Sequence, residues 1–123
     1  MLDSNIVIYS ASDPRSVADF ILAHRPVVSS ITRVEVLGFH KLDPADKLSF
    51  ERFFAAATVV PASDEVIDQA IALRQVRKMS LGDSLVAATA LAYGLALATR
   101  NVSDFRWIAN LRVIDPFAKG APT

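Results

Sequence analysis

The chain has 123 residues, 52% of them hydrophobic and 21% charged, with a formal net charge of zero. That length suits one domain spanning 1–123, and the absence of cysteine excludes a disulfide, a thiolate nucleophile and a zinc–thiolate centre. A neutral balance argues against a broad basic surface for nucleic acid, whose affinity comes from many phosphate contacts, but leaves room for a local basic rim.

Short apolar runs alternate with helical patterns along the chain. Met1-Leu2-Asp3 reads as a very short first strand, followed by a helix from about Asn5. Asp13-Pro14 reads as an N-cap and first helical position, with Val17, Phe20 and Ile21 as the apolar stripe. Pro26 to Ser29 is a second strand. Thr32-x-x-Glu35 has the capping-box pattern and opens a helix to His40. Pro44 starts the next helix, through Leu48, Phe50, Phe53 and Phe54, and Thr58 to Pro61 is a third strand. Ser63 caps a helix striped by Val66, Ile67, Ala70, Leu73 and Val76. Asp83 to Tyr93 is a further helix, with Gly94 as its C′ glycine. Leu95 to Ala98 and Arg112 to Ile114 complete the strands, and the tail from about Lys119 is expected to fray. Such alternation predicts an α/β domain with a mainly parallel sheet.

No basic segment precedes an apolar one at the start, where Asp3 and Asn5 intervene, so no signal peptide is expected. The longest uncharged run, 84–99, falls short of the roughly 20 residues a membrane span needs. The expectation is a soluble protein, and the lack of cysteine fits a reducing cytoplasm.

Most of the thirteen acidic residues read as caps or solvated helix positions. Four stand apart. Asp3 ends the first strand, Glu35 lies in the helix after the second, Asp83 opens the helix before the fourth, and Asp104 follows the fourth. In parallel sheets, ligands collect outside the carboxyl ends of the strands. Capping accounts for Glu35, Asp83 and Asp104 one at a time, but not for the convergence of all four on one sheet edge. Two carboxylates about 5 Å apart repel by roughly 3 kcal/mol at an effective dielectric near 20. Four require protons or a cation, and oxygen-only ligands select Mg²⁺ or Mn²⁺. Phosphodiester hydrolysis is the matching chemistry.

These residues resemble the PIN-domain family, and within it the VapC-type toxins of type II toxin–antitoxin systems. Leu2-Asp3-Ser4-Asn5 is similar to the family's Leu-Asp-Thr-Asn opening, with Ser4 keeping the hydroxyl. Ser30-Ile31-Thr32-Arg33-Val34-Glu35 with Gly38 resembles its second motif. Asp83-Ser84-Leu85-Val86-Ala87-Ala88-Thr89-Ala90 resembles the third, and Thr99-Arg100-Asn101-Val102-Ser103-Asp104-Phe105 the fourth. Only two residues precede Asp3, fewer than in most relatives, so the expectation is either a weakly anchored first strand or a true start that lies upstream. The resemblance implies a three-layer α/β/α sandwich around a parallel sheet of four or five strands, ordered 3-2-1-4-5. It implies metal ligation by Asp3, Glu35, Asp83 and Asp104, with Asn5, Thr99 and Asn101 orienting the ligands. It further implies a metal-dependent endoribonuclease acting through activated water, a homodimer, and a small antitoxin that blocks the pocket. Arg33, Arg100 and Arg106 lie beside the motifs as candidate RNA contacts, with Arg77 and Lys78 just before Asp83. Trp107 and Phe105 are candidate base-stacking residues. Phe39, Phe50, Phe53 and Phe54 could line an antitoxin groove, though core packing explains them equally well.

Gly82-Asp83-Ser84-Leu85 also spells the nucleophile block of GDSL-type ester hydrolases, but the histidines His24 and His40 lie upstream of Ser84, where that mechanism needs one downstream. A response-regulator receiver needs an acidic pair after the first strand and a late lysine, and neither is clear. The serious alternative to the nuclease is a catalytically silent PIN fold that acts by binding a protein partner.

Overall fold

A computed structural model describes residues 1–10 and 26–116. The helix predicted from Asp13, the residue His24 and the tail from Lys119 lie outside the described residues. The described elements are α1 (Ser4–Ser10), β1 (Val27–Ser29), α2 (Ser30–Leu37), α3 (Pro44–Ala56), β2 (Thr58–Val60), α4 (Asp64–Val76), α5 (Leu81–Ala92), β3 (Leu97–Ala98), α6 (Val102–Phe105) and β4 (Val113–Ile114).

The strands are short and parallel. β1 pairs with β2 from Val27 opposite Thr58, and β3 with β4 from Leu97 opposite Val113. Leu2 joins the two pairs, bridging in parallel to Val28 on one side and to Ala98 on the other. The order is therefore β2-β1-Leu2-β3-β4, the predicted 3-2-1-4-5 with Leu2 standing as the first strand. The predicted weak anchoring is not seen. Leu2 N–H donates to the Val27 carbonyl at 2.9 Å, Ala98 N–H to the Met1 carbonyl at 2.7 Å, and Asp3 N–H to the Ala98 carbonyl at 2.9 Å. Two neighbours hold this segment, so its brevity costs little order.

Side-chain alternation along each strand builds a core on either face of the sheet. Leu2, Val28 and Ala98 pack with Ile6, Val36 and the three phenylalanines of α3, while Leu97 packs oppositely with Val86, Ala90, Phe105 and Ile108. That is the three-layer α/β/α arrangement. Along α5, residues 86–90 are all buried, because it lies between the sheet and α4. Its alanines let α4 come close enough for Val66 and Ala70 to meet Ala88.

Local chemistry sets the helix starts. Asp43 accepts from Ala45 N–H ahead of Pro44, Ser63 from Val66 N–H, and Ser80 from Asp83 N–H. Gly94 adopts φ +65° beyond the end of α5, as its C′ position requires. The Thr32 capping box is not formed. Ser29 is the N-cap and accepts from Ile31 N–H, because β1 runs straight into α2 and only its last extended residue can cap. Thr32 is instead turned fully into the interior. The α4 stripe is corrected too: Val66 and Ala70 are buried, but Ile67 and Val76 face outward.

Candidate active site

Leu2 is the strand from which the chain departs to either side, and Asp3 follows it at the carboxyl end of the sheet. Asp3 is only 3% exposed. Its Oδ1 accepts from Ser4 N–H at 2.7 Å and its Oδ2 from the Thr99 hydroxyl at 2.8 Å. Burial pushes the Asp3 carboxyl above the ordinary range. The two hydrogen bonds pull the other way, and the charges of Asp83 and Glu35 add to the rise.

Glu35 comes from α2 and reaches back over Ser4, whose hydroxyl donates to Glu35 Oε1 at 2.7 Å. The same Ser4 lies 3.4 Å from the Thr32 hydroxyl. On its other side the Glu35 carboxylate rests against Gly82 of α5. A Cβ added at Gly82 would lie 2.6 Å from Glu35 Oε2, so glycine leaves the space the carboxylate occupies.

Asp83 is the third residue of α5 and half-buried. Desolvation raises its pKa, a hydrogen bond with the Ser80 side chain opposes this, and the charge of Asp104 raises it further. Asp104 itself is exposed on α6, across from Asp83. Ser4 thus links Asp3 to Glu35, and Glu35 rests on Gly82 beside Asp83, while Asp104 lies further out on α6. Among the described residues, no three acidic or histidine side chains are already gathered into a group that could hold a metal ion.

The flanking residues divide. Thr99 is buried on Asp3, and Asn101 N–H donates to the Thr99 hydroxyl oxygen at 3.0 Å, fixing that hydroxyl. Asn5 is exposed, and Asp3 takes its hydrogen bonds from Ser4 and Thr99 instead. Residue reasoning passed over Ser4, Thr32 and Gly82. The retained hydroxyl of Ser4 was the available sign for the first, and a glycine inside a first helical turn for the last.

The family model of the PIN domain matches residues 1–111. The chain belongs to the PIN domain family. It is similar to a chain of a toxin–antitoxin complex from Klebsiella pneumoniae, 29% identical, covering 96% of this chain and 98% of that one at a TM-score of 0.77. VapBC-1 from nontypeable Haemophilus influenzae shares the fold at 23% identity and TM-score 0.77, covering 94% of this chain and 96% of that one. DNA-bound VapBC from Salmonella typhimurium shares it at 22% and 0.79, covering 92% and 94%. No curated protein gives a significant match.

On this PIN domain, Arg100 and Arg106 are exposed on either side of Asp104, but Arg33 is not brought to the acids. It lines a separate hollow with Leu37, Glu51 and Phe54. Residues two apart on a helix point about 200° apart, so Arg33 and Glu35 cannot share a face. Phe105 is core, 1% exposed, and Phe50, Phe53 and Phe54 are core as well, leaving Phe39 as the exposed aromatic of that set. The Ser84 hydroxyl is buried and donates to the Leu81 carbonyl at 2.7 Å, which removes it as an ester-hydrolase nucleophile.

Proposed function

We propose that this PIN domain is the nuclease toxin of a toxin–antitoxin pair, a divalent-metal-dependent endoribonuclease whose ligands are Asp3, Glu35, Asp83 and Asp104. The observation that carries this is geometric: Ser4 joins buried Asp3 to Glu35, its N–H on Asp3 Oδ1 and its hydroxyl on Glu35 Oε1, and the Glu35 carboxylate rests on Gly82, next to Asp83. A fold that holds mutually repelling carboxylates together needs a cation to neutralise them. The likeness to a chain of a toxin–antitoxin complex over nearly the whole of both chains supports the toxin assignment.

The donors fit a hard cation, Mg²⁺ or Mn²⁺, because every one is a carboxylate oxygen. Mg²⁺ keeps several of its waters and is held through one or two carboxylates, which suits acids not gathered into a closed cage. When bound, the cation polarises a phosphoryl oxygen and acidifies the attacking water. The chain's own residues supply position. Asp3, bonded at both oxygens, is the fixed ligand, and Asn101 holds Thr99 in place to keep it so. Ser4 orients Glu35.

A small antitoxin is the proposed partner, and a groove of about 550 Å³ beside Glu35, walled by exposed Ile8 and Phe39 with Leu42 and floored by the core residues Val36 and Phe50, is its proposed seat. The proposed working form is a cytoplasmic homodimer; no helix among the described residues is long and apolar enough to cross a membrane.

The ungathered acids favour one second reading, a catalytically silent fold that works by binding a protein partner. Incubating the protein with single-stranded RNA decides between them. The nuclease cleaves with Mg²⁺ or Mn²⁺, stops with chelator, and is lost in Asp3→Asn and Asp83→Asn. RNA left intact by the wild type, with no Mn²⁺ heat in calorimetry that Asp83→Asn lacks, leaves the silent module standing.

A further inference from the structure

One cation, close in sequence to Asp83, lies on an aromatic ring that is close in sequence to Asp104. Arg77 follows α4 with an extended backbone, φ −154° and ψ 147°, which turns it off the helix. Its guanidinium carbon lies over the Trp107 ring, 5.4 Å from the centroid. Trp107 is itself fixed, because it packs against the core of the α5 face and its indole N–H donates to the Asp104 carbonyl at 2.8 Å. The loop carrying Arg77 is pinned as well. Arg74 Nε donates to the Met79 carbonyl at 3.3 Å, and Ser80 caps α5. Five residues separate Arg77 from Asp83, and Trp107 is bonded to the backbone carbonyl of Asp104, so both attachments of this cation lie on segments that carry candidate ligands.

The acids draw in a cation but repel an RNA strand, so a strand laid across them needs a positive contact alongside. Among the described residues Arg77 has no carboxylate within ion-pair distance. A guanidinium lying on an indole keeps its edge donors free, and that planar fork matches two phosphate oxygens. Stacking also limits the freedom lost on binding.

We propose that Arg77, laid on Trp107, is an RNA-binding residue that grips a backbone phosphate of the strand next to the Asp83–Asp104 side of the site. It is a positioning residue, and the proposal rests on the nuclease reading above. Binding is measured by fluorescence anisotropy with a labelled single-stranded RNA of mixed sequence, in the Asp83→Asn background so that nothing is cut. Adding Arg77→Ala weakens affinity about tenfold, as loss of a charged hydrogen-bonded contact implies. It also flattens the slope of log affinity against log salt by roughly 0.7, the loss of one phosphate on a single strand. Arg77→Lys restores the slope but not the full affinity, since it keeps charge without the fork. Trp107→Leu weakens affinity and leaves the slope in place; should it not fold, by circular dichroism, the two Arg77 variants decide alone.

Unchanged affinity and slope in Arg77→Ala overturn the proposal. So does an unchanged slope accompanied by a shift in oligomeric state in sedimentation, which assigns the cation to a protein contact. Cleavage by the Asp83-bearing protein with Mg²⁺ is followed in parallel. Cleavage that persists equally in wild type and Arg77→Ala sinks this role alone, whereas a wild type that neither cleaves nor binds RNA sinks the nuclease reading with it.

Discussion

The two sides of the acidic site are built differently. Asp3 sits inside the sheet, buried, with both carboxylate oxygens bonded and the donor Thr99 itself fixed by Asn101 N–H. Asp83 and Asp104 sit on helices at the rim, half-buried and exposed, and Asp83 has the Ser80 side chain as its hydrogen-bonding neighbour. The core dictates where the inner acid lies, while the outer acids have room to adjust to what they bind. Glu35 stands between, held by one hydroxyl and by the space above Gly82. On the proposed metal-binding reading such a site would have one rigid ligand as reference and an adjustable rim, so disturbing the two sides should produce different failures.

The largest expected effect is on the chemistry. Asp3→Asn or Asp83→Asn should each lower RNA cleavage by about 10²-fold or more, on the order of several kcal/mol of transition-state charge stabilisation. A wild-type rate in either variant would deny that acid a role. Gly82→Ala comes next. Its new Cβ needs the space of Glu35 Oε2, and the carboxylate is the part able to move. Cleavage should fall about tenfold while the melting temperature holds or rises, since glycine inside a helix costs roughly 0.5–1 kcal/mol relative to alanine. A variant that loses stability along with activity would instead mark Gly82 as a packing residue. Thr99→Val acts on the inner side alone. It leaves Asp3 Oδ2 without its donor in a buried place, which costs about 1–3 kcal/mol. Thermal denaturation should register this as a drop of several degrees, and an unchanged melting temperature would show that the inner acid is not held as tightly as its hydrogen bonds imply.

The same division governs how much could be read from the sequence. The order of elements was legible because apolar strands and helical stripes keep their periods, and the caps Asp43, Ser63 and Ser80 stand where turn chemistry puts them. The placement of Asp3 at a strand end was legible from the chain order alone. The inner support was not. Ser29, Ser30 and Thr32 offer three hydroxyls within four residues, and only the exit of β1 decides that Ser29 caps and Thr32 faces inward. The spacing of Phe50, Phe53 and Phe54 is the same whether they form a core or a docking groove, and tertiary burial alone separates the two. Arg33 shows the reverse case: it is two residues from Glu35 in sequence, but the helix turns it to a separate hollow with Leu37, Glu51 and Phe54.

The smallest expected effect is the dependence of stability on pH without metal. Burial and neighbouring charge hold the Asp3 and Asp83 carboxyls above the ordinary carboxylate range in the folded chain, so between the ordinary and the raised values the folded chain binds more protons than the unfolded. In that window their contribution to stability falls as pH rises. Above the raised values the penalty is complete, and it persists at neutral pH. Asp83→Asn removes its own share and relieves Asp3 of a neighbouring charge, so the difference in melting temperature between variant and wild type should grow in the variant's favour from acid to neutral pH. Saturating Mg²⁺ should shrink that difference by neutralising the same carboxylates in the wild type. Parallel melting curves for the two proteins across the whole range, with and without Mg²⁺, would mean that the four acids do not share a field, and the metal-binding reading would lose its support at the rim before it lost it at Asp3.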